Sequence, residues 1–275
     1  MSSRLTGLHL YPLKSAAAIS VNQVAVDEIG LVGDRRWMLV DAEGEALTQR
    51  DRPRLARVHA IPTQDGGLEI VATGMPTLKL DVPGPTAPVI RTRLWRRPAE
   101  GRLAAQGSAD WFTDFLETPC RLLYVPPRLA RPVAAPWGLE HDRTAFTDGF
   151  PFLLIGEGSL AALNDRLERP IPMDRFRPNL VVSDTAPFEE DEWKRVRIGS
   201  LKFRVVKPCP RCVVTTVDQA TGVRDPEGEP LATLATFRGH EGKVWFGMNL
   251  IHEGAGRLRL GDPVDVISRR DAPAT

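Results

Sequence analysis

The sequence predicts a mixed, β-rich α+β fold of two barrel-like β domains with helical decoration. Three observations predict it. Short apolar runs of strand length recur along the whole chain, Gly and Pro punctuate them, and helical periodicity surfaces in few places. The length of 275 residues suits two modest cores, at roughly 100–200 residues per domain.

The first strand candidates are residues 5–11, 23–27 and 36–41. Ala42-Glu43-Gly44-Glu45 is a turn signal before 46–49, so a hairpin is expected there. Residues 68–72, 78–82 and 89–95 continue the pattern, with Val82-Pro83-Gly84-Pro85 between two of them. The period then changes. Ser108 is expected to cap a helix that places Trp111, Phe112, Phe115 and Leu116 on one face, packed against a sheet. Residues 121–125 are a further strand. Pro126, Pro127 and Pro132 follow, and so dense a run of proline continues neither a helix nor a central strand. The domain boundary is placed there, giving domains 1–125 and 126–270.

In the second half, 152–155 reads as a strand, and Ser159 is expected to open a helix carrying Leu160, Leu163 and Leu167. Residues 179–183, 196–198, 201–206, 213–217, 244–250, 257–260 and 263–267 are short strands, and Gly199-Ser200 makes a second hairpin.

Net charge is +1, from 36 basic and 35 acidic residues, which gives no reason to expect nucleic acid or an anionic membrane as a partner. No run approaches the ~18 consecutive apolar residues of a membrane span. The first residues lack the basic-then-apolar order of a secretory signal. Cys120, Cys209 and Cys212 are the only cysteines, too few for a disulfide framework. A cytoplasmic monomer is expected.

Lys207-Pro208-Cys209-Pro210-Arg211-Cys212-Val213-Val214-Thr215-Thr216-Val217-Asp218 is the most informative segment. Two cysteines three apart can share a metal, form a redox disulfide, or remain inert thiols. A structural zinc needs a complete tetrahedral ligand set, and His9, His59, His141, His240 and His252 lack ligand spacing. A thioredoxin-like dithiol opens a helix, which lowers the thiol pKa. The β-branched run after Cys212 argues for a strand instead. Inert thiols stay open on spacing alone.

The same segment resembles the signature of the mitochondrial amidoxime-reducing component and its bacterial YcbX-type relatives in the MOSC superfamily. Further blocks carry the likeness in order: Tyr11-Pro12-Leu13-Lys14-Ser15; Gly30-Leu31 with Asp34-Arg35-Arg36-Trp37; Phe150 to Ile155 with Ser159-Leu160 and Leu163-Asn164; Phe176-Arg177-Pro178-Asn179; and Gly261-Asp262-Pro263-Val264. Several blocks in the right order are more specific than one short motif.

The resemblance implies an N-terminal MOSC β-barrel-like domain followed by a MOSC domain that binds molybdenum-molybdopterin. It makes Cys212 the metal ligand and catalytic residue. A soft thiolate suits a metal that already carries dithiolene sulfur. Arg211 beside it favours thiolate, and Pro210 completes the motif. Lys14, Ser15, Arg35, Asp148, Arg177, Asn179 and Asn249 fall in blocks that hold the cofactor in relatives, although Gly149-Phe150 departs from the usual Thr-Ser. Cys209 and Phe176 are expected to pack around the site, and Cys120 to be a small buried apolar residue.

The implied activity is reduction of small N-hydroxylated compounds, such as hydroxylamines, amidoximes and N-hydroxylated bases. Its rivals are a molybdenum cofactor carrier or sulfur carrier, and a module without enzymatic activity. The chain carries no Gly-rich dinucleotide fingerprint and too few cysteines for an iron–sulfur cluster beside Cys212. Some relatives add a C-terminal ferredoxin-like domain and the mitochondrial relatives an N-terminal anchor, and neither is expected here. A separate electron donor is therefore expected: a flavin reductase, a ferredoxin or a small haem protein.

Overall fold

In a computed structural model, residues 2–270 are described. Alternation of apolar and polar side chains accounts for some of the strands, while Trp37–Val40, Phe152–Gly156 and Leu180–Val182 are buried throughout. Gln23–Asp27, for example, buries Val24 and Val26 and exposes Gln23, whereas Trp193–Ile198 carries a bulge at Arg195 that breaks the alternation between Trp193 and Val196.

The largest sheet has nine strands, in the order Ile19–Ser20, Leu5–Leu10, Leu180–Val182, Phe152–Gly156, Lys243–His252, Leu201–Arg211, Trp193–Ile198 and Val264–Arg269, with Gly239–His240 added against Lys243–His252. Its pairings are antiparallel except between Phe152–Gly156 and Leu180–Val182. That parallel pair needs a crossover, which contains the helix Glu157–Asn164. The two ends of the sheet meet at a single bridge, Arg4 with Pro263, flanked by Leu5 N–H to Asp262 O at 3.0 Å and Val264 N–H to Ser3 O at 2.9 Å. The sheet curls like a barrel, but its ladder is not continuously closed. Leu5, Leu8, Phe152, Trp193, Phe203 and Met248 are among the side chains that fill its core.

Chain order and spatial order part company at the start. Leu5–Leu10 pairs with Leu180–Val182, and Gln23–Asp27 pairs with Gly256–Arg259. The large sheet thus takes Leu5–Leu10 and Ile19–Ser20 from across the 125/126 boundary, and a separate three-stranded sheet joins Gln23–Asp27 to Gly256–Arg259 and Gly30–Leu31. The added strand Leu5–Leu10 covers what would otherwise be an open edge. The rest of the first half builds its own layers. Trp37–Val40, Arg121–Tyr124, Arg97–Leu103 and Val89–Leu94 form a four-stranded sheet, and His59–Pro62, Leu68–Val71 and Leu78–Leu80 a three-stranded one. Helix Gln106–Leu116 buries Trp111, Phe112, Phe115 and Leu116 as expected, in a core with Trp37 and Leu122.

Several local expectations differ. The helix begins at Gln106 after Ala105, and Ser108 sits inside its first turn, donating to Ala105 O at 2.7 Å. Ser159 likewise lies within a helix that starts at Glu157; its hydroxyl donates to the buried Glu190 carboxylate at 2.7 Å and accepts from Phe188 N–H. Residues 213–217 are not a strand. Val213–Thr216 is a 3-10 turn, closed by Thr215 Oγ1 to Cys212 O at 3.0 Å and Thr216 Oγ1 to Val213 O at 2.8 Å. Threonine hydroxyls that bond back three residues offset the strand preference of a β-branched run. The strand Arg97–Leu103 and the helix Leu231–Arg238 had no counterpart in the sequence reading.

Candidate active site

The strand Leu201–Arg211 is the backbone of the site. Its register against Lys243–His252 slips at 205–207 and again at 208–210. Pro208 and Pro210 cannot donate to a ladder, so they sit where pairing is already broken. Asn249 takes over part of the ladder's work, with Nδ2 donating to Pro208 O at 3.2 Å and Lys207 O at 3.4 Å. Opposite, Gly247 has φ +74°, and a Cβ there would lie 2.6 Å from Ile155 Cγ1. Only glycine meets both demands. The displaced strand ends at Arg211, and Cys212 starts the 3-10 turn with an extended φ of −139°.

Beside this turn lies a cavity of about 150 Å³. Lys14, Ser15, Arg35, Asp148, Arg177, Asn179, Pro210, Arg211, Cys212 and Asn249, the ten residues singled out from sequence, all line it. They come from both halves of the chain.

Its walls are cationic. Lys14, Arg35, Arg50, Arg177 and Arg211 face it, against the one carboxylate of Asp148. Lys14 Nζ donates to Asp148 Oδ1 at 2.5 Å, and Trp95 Nε1 donates to the same oxygen at 2.9 Å. Burial lowers the Lys14 pKa, and Asp148 works against that shift. Asp148 itself opens into the cavity, with 64 % of its side chain exposed. The surrounding protein pushes its carboxyl pKa up, but the charge and hydrogen bond of Lys14, helped by Trp95, hold it well below the usual carboxylate range.

Tyr11 organises the opposite wall. The Arg35 and Arg177 guanidiniums lie 4.2 and 4.3 Å from its ring centroid, and its hydroxyl donates to Pro178 O at 3.0 Å. Burial pushes the Tyr11 pKa up to about 12 and the Arg177 pKa down to about 10, which leaves the phenol neutral and the guanidinium charged at neutral pH. Arg35 also donates to Asp34 at 2.6 Å and to Asn179 Oδ1 at 2.9 Å. Asn179 is occupied on both ends, since Oδ1 accepts from Leu153 N–H too and Nδ2 donates to His9 O. It positions Arg35.

Arg211 behaves differently from expectation. Its Nη1 donates to Cys209 Sγ at 3.2 Å and its Nη2 to Phe176 O at 2.7 Å, so the thiol it touches is Cys209, not Cys212. Burial pushes the Cys209 thiol pKa up, and Arg211 opposes that shift.

Backbone strain concentrates here. Ser15, Arg35, Trp95 and Arg177 all have left-handed φ, between +45° and +67°. Such conformations persist where the surroundings over-determine them, and they cluster at functional sites. Trp95 and Arg96, both left-handed, make the two-residue turn between Val89–Leu94 and Arg97–Leu103. That turn type ordinarily takes Asn-Gly; here it presents an indole to Asp148, and Arg50 stacks on that indole 3.8 Å from its centroid. Thr48, Arg50, Trp95 and Thr147 are lining residues that the sequence reading missed. Behind them, Gln49 and Gln219 interlock through two amide hydrogen bonds of 3.0 and 3.1 Å. Isolated polar residues far apart in sequence carry no spacing signal.

Among the described residues no cluster of three His, Cys, Asp or Glu side chains offers a conventional metal site, so Cys212 alone would leave a metal incompletely ligated. The surroundings fit a cofactor that brings its own ligands and negative charge. Five cations converge on the cavity, Arg211 Nε is buried without a partner among the described residues, and a Cβ added at Gly149 would meet nothing within 4 Å.

Residues 2–119 match the MOSC N-terminal beta barrel domain and residues 141–265 match the MOSC domain. The chain belongs to the MOSC family. This MOSC protein is 34 % identical to mitochondrial amidoxime-reducing component 1 of Mus musculus, over 95 % of the chain and 82 % of the relative. It is 36 % identical to mitochondrial amidoxime reducing component 2 of Rattus norvegicus, over 93 % and 80 %. Component 1 of Homo sapiens is 34 % identical, over 95 % and 82 %. The two MOSC matches together bracket the cavity: the first contains Lys14, Ser15 and Arg35, and the second Asp148, Arg177, Asn179, Cys212 and Asn249.

Proposed function

We propose that this protein is a molybdenum-cofactor-dependent reductase of small N-hydroxylated compounds, fed with electrons by a separate protein. One observation carries the reading: Cys212 stands in a cavity whose charged walls are five cations against one carboxylate, while the other lining thiol, Cys209, is engaged by Arg211. The names of the relatives supply the reaction class. When bound, the cofactor supplies two-electron oxygen-atom-transfer chemistry at molybdenum.

The chain's part is binding and orientation. Cys212 would hold the metal as thiolate. Lys14, Arg35 and Arg177, with the Ser15 hydroxyl, would hold the phosphate, because ammonium and guanidinium donors form strong charge-assisted bonds to phosphate oxygens. Asp148, held ionised by Lys14 and Trp95, would accept hydrogen bonds from pterin N–H groups. Asn179 keeps Arg35 in place, and Asn249 keeps the Cys-bearing strand displaced.

Removal of an N–OH oxygen as water consumes two electrons and two protons. No helix among the described residues is long and apolar enough to cross a membrane, and the reading includes a cytoplasmic monomer meeting its donor there. A flavin reductase, a ferredoxin or a small haem protein has the required chemistry. The test supplies an amidoxime with reduced viologen dye, then with nicotinamide alone. Turnover with dye only is expected. Steady turnover on nicotinamide alone contradicts the separate donor, and retained molybdenum without turnover favours a cofactor carrier.

A further inference from the structure

We infer that Gln219, interlocked with Gln49, is a positioning residue that latches the Cys212 segment to the N-terminal half and sets the cofactor cradle; the inference rests on the cofactor reading above. The amide of Gln219 makes four hydrogen bonds. Its Nε2 donates to Val217 O at 2.9 Å and to Gln49 Oε1 at 3.1 Å. Its Oε1 accepts from Gln49 Nε2 at 3.0 Å and from Arg177 Nη1 at 3.1 Å. That is the whole capacity of a carboxamide. Gln49 is fully buried, and its Nε2 also donates to Ser15 O at 2.8 Å.

The consequence is a tie between two strained points. Ser15 (φ +67°) and Arg177 (φ +55°) both line the cavity in left-handed conformations. Ser15 is held through its carbonyl by Gln49, and Arg177 through its guanidinium by Gln219. The partners lie 170 residues apart, so the pair spans the two MOSC matches.

Local structure delivers Gln219 to this spot. Asp218 Oδ1 accepts from Ala220 N–H, Thr221 N–H and the Thr221 hydroxyl, which closes a tight turn. Asp218 N–H donates to Val223 O, and Val217 bridges Arg224. Gln219 therefore projects from a braced loop that starts where the Cys212 turn ends. An amide is suited to the task because it must donate to one glutamine and accept from an arginine at once.

The test measures molybdenum per chain and the rate of cofactor loss from the holoenzyme for Gln49→Ala, Gln219→Ala, the double variant and Gln219→Glu. Gln219→Ala removes a hydrogen bond to the Arg177 guanidinium, worth about tenfold, and Gln49→Ala removes the partner that holds Gln219 in place, so each alanine variant is expected to lose cofactor about tenfold faster. The double variant is expected to match the singles, because the two residues act as one unit. Gln219→Glu, which keeps an acceptor for Arg177, is expected to retain more than Gln219→Ala. Circular dichroism and melting temperature read the fold separately; if Gln219→Ala unfolds, the other two single variants carry the comparison. Wild-type retention in both alanine variants, or a double variant about a hundredfold worse, overturns the latch. A wild-type protein without molybdenum instead overturns the cofactor reading beneath it.

Discussion

Tyr11 should reveal how the cavity's two strained arginines are held. Its hydroxyl donates to the buried carbonyl of Pro178 at 3.0 Å, while the guanidiniums of Arg35 and Arg177 both stack on its ring, 4.2 and 4.3 Å from the centroid. Tyr11→Phe removes only the hydroxyl. It leaves a buried acceptor unpaired, at a cost of about 1–3 kcal/mol. The ring stays, so both guanidiniums keep their seat and cofactor retention should remain close to wild type. Tyr11→Leu removes the ring as well. Each lost cation–π contact costs about 0.5–2 kcal/mol, so the pair predicts a further loss of about 1–4 kcal/mol. In this variant cofactor should also leave faster. Urea unfolding of each variant gives the stability term, and molybdenum content after dialysis gives the retention term. Equal stability loss in the two variants, with equal cofactor retention, would refute the stacking argument.

Tyr11 also sets an alkaline limit: in the unfolded chain the phenol ionises near ~10, whereas burial holds it to about 12 in the fold. Its contribution is fully present below pH ~10 and lost as pH rises through the folded value, by about 2–3 kcal/mol; parallel stability curves for wild type and Tyr11→Phe over that range contradict it. Asp148→Asn removes the charge that opposes the burial-driven lowering of the Lys14 pKa. Cofactor retention in that variant should fall off at a lower pH than in wild type, and superimposable pH profiles count against the pairing. Gly247→Ala places a Cβ 2.6 Å from Ile155 Cγ1 at φ +74°. A destabilisation of about 2–4 kcal/mol is expected in urea titrations, and a neutral result means that the strand pair yields more easily than its packing suggests.

Much of the strand pattern was legible because short apolar runs are punctuated by Gly and Pro and because burial alternates in strands such as Gln23–Asp27. Where side-chain chemistry overrode propensity, the reading missed. Thr215 and Thr216 bond back to the carbonyls of Cys212 and Val213 and coil a segment that composition assigns to a strand. The hairpin at Trp95-Arg96 was invisible because its left-handed turn lacks the glycine or asparagine that usually marks one. Helix Leu231–Arg238 is only eight residues long, too short for a clear period.

The cradle was legible to a different degree. Lys14, Arg35 and Arg177 look like ordinary surface charges in isolation, and only ordered blocks along the chain singled them out. Gln49 and Gln219 offered nothing to read: each is one polar residue, and their pairing exists only after the halves fold together. The role of Arg211 was misread for a related reason. Sequence adjacency to Cys212 said nothing about where a long side chain points, and in the fold it reaches back to Cys209 and Phe176 O.

The central claim is that Cys212 holds molybdenum in this cavity. The most direct measurement is the metal content of wild type, Cys212→Ser and Cys209→Ser, each purified from cells competent for molybdenum-cofactor synthesis. Wild type and Cys209→Ser should each carry close to one molybdenum per chain and reduce an amidoxime with dye electrons, while Cys212→Ser should show no turnover. Equal loss of activity from both cysteine variants would point to a dithiol mechanism, and a wild type purified without molybdenum would contradict the account outright.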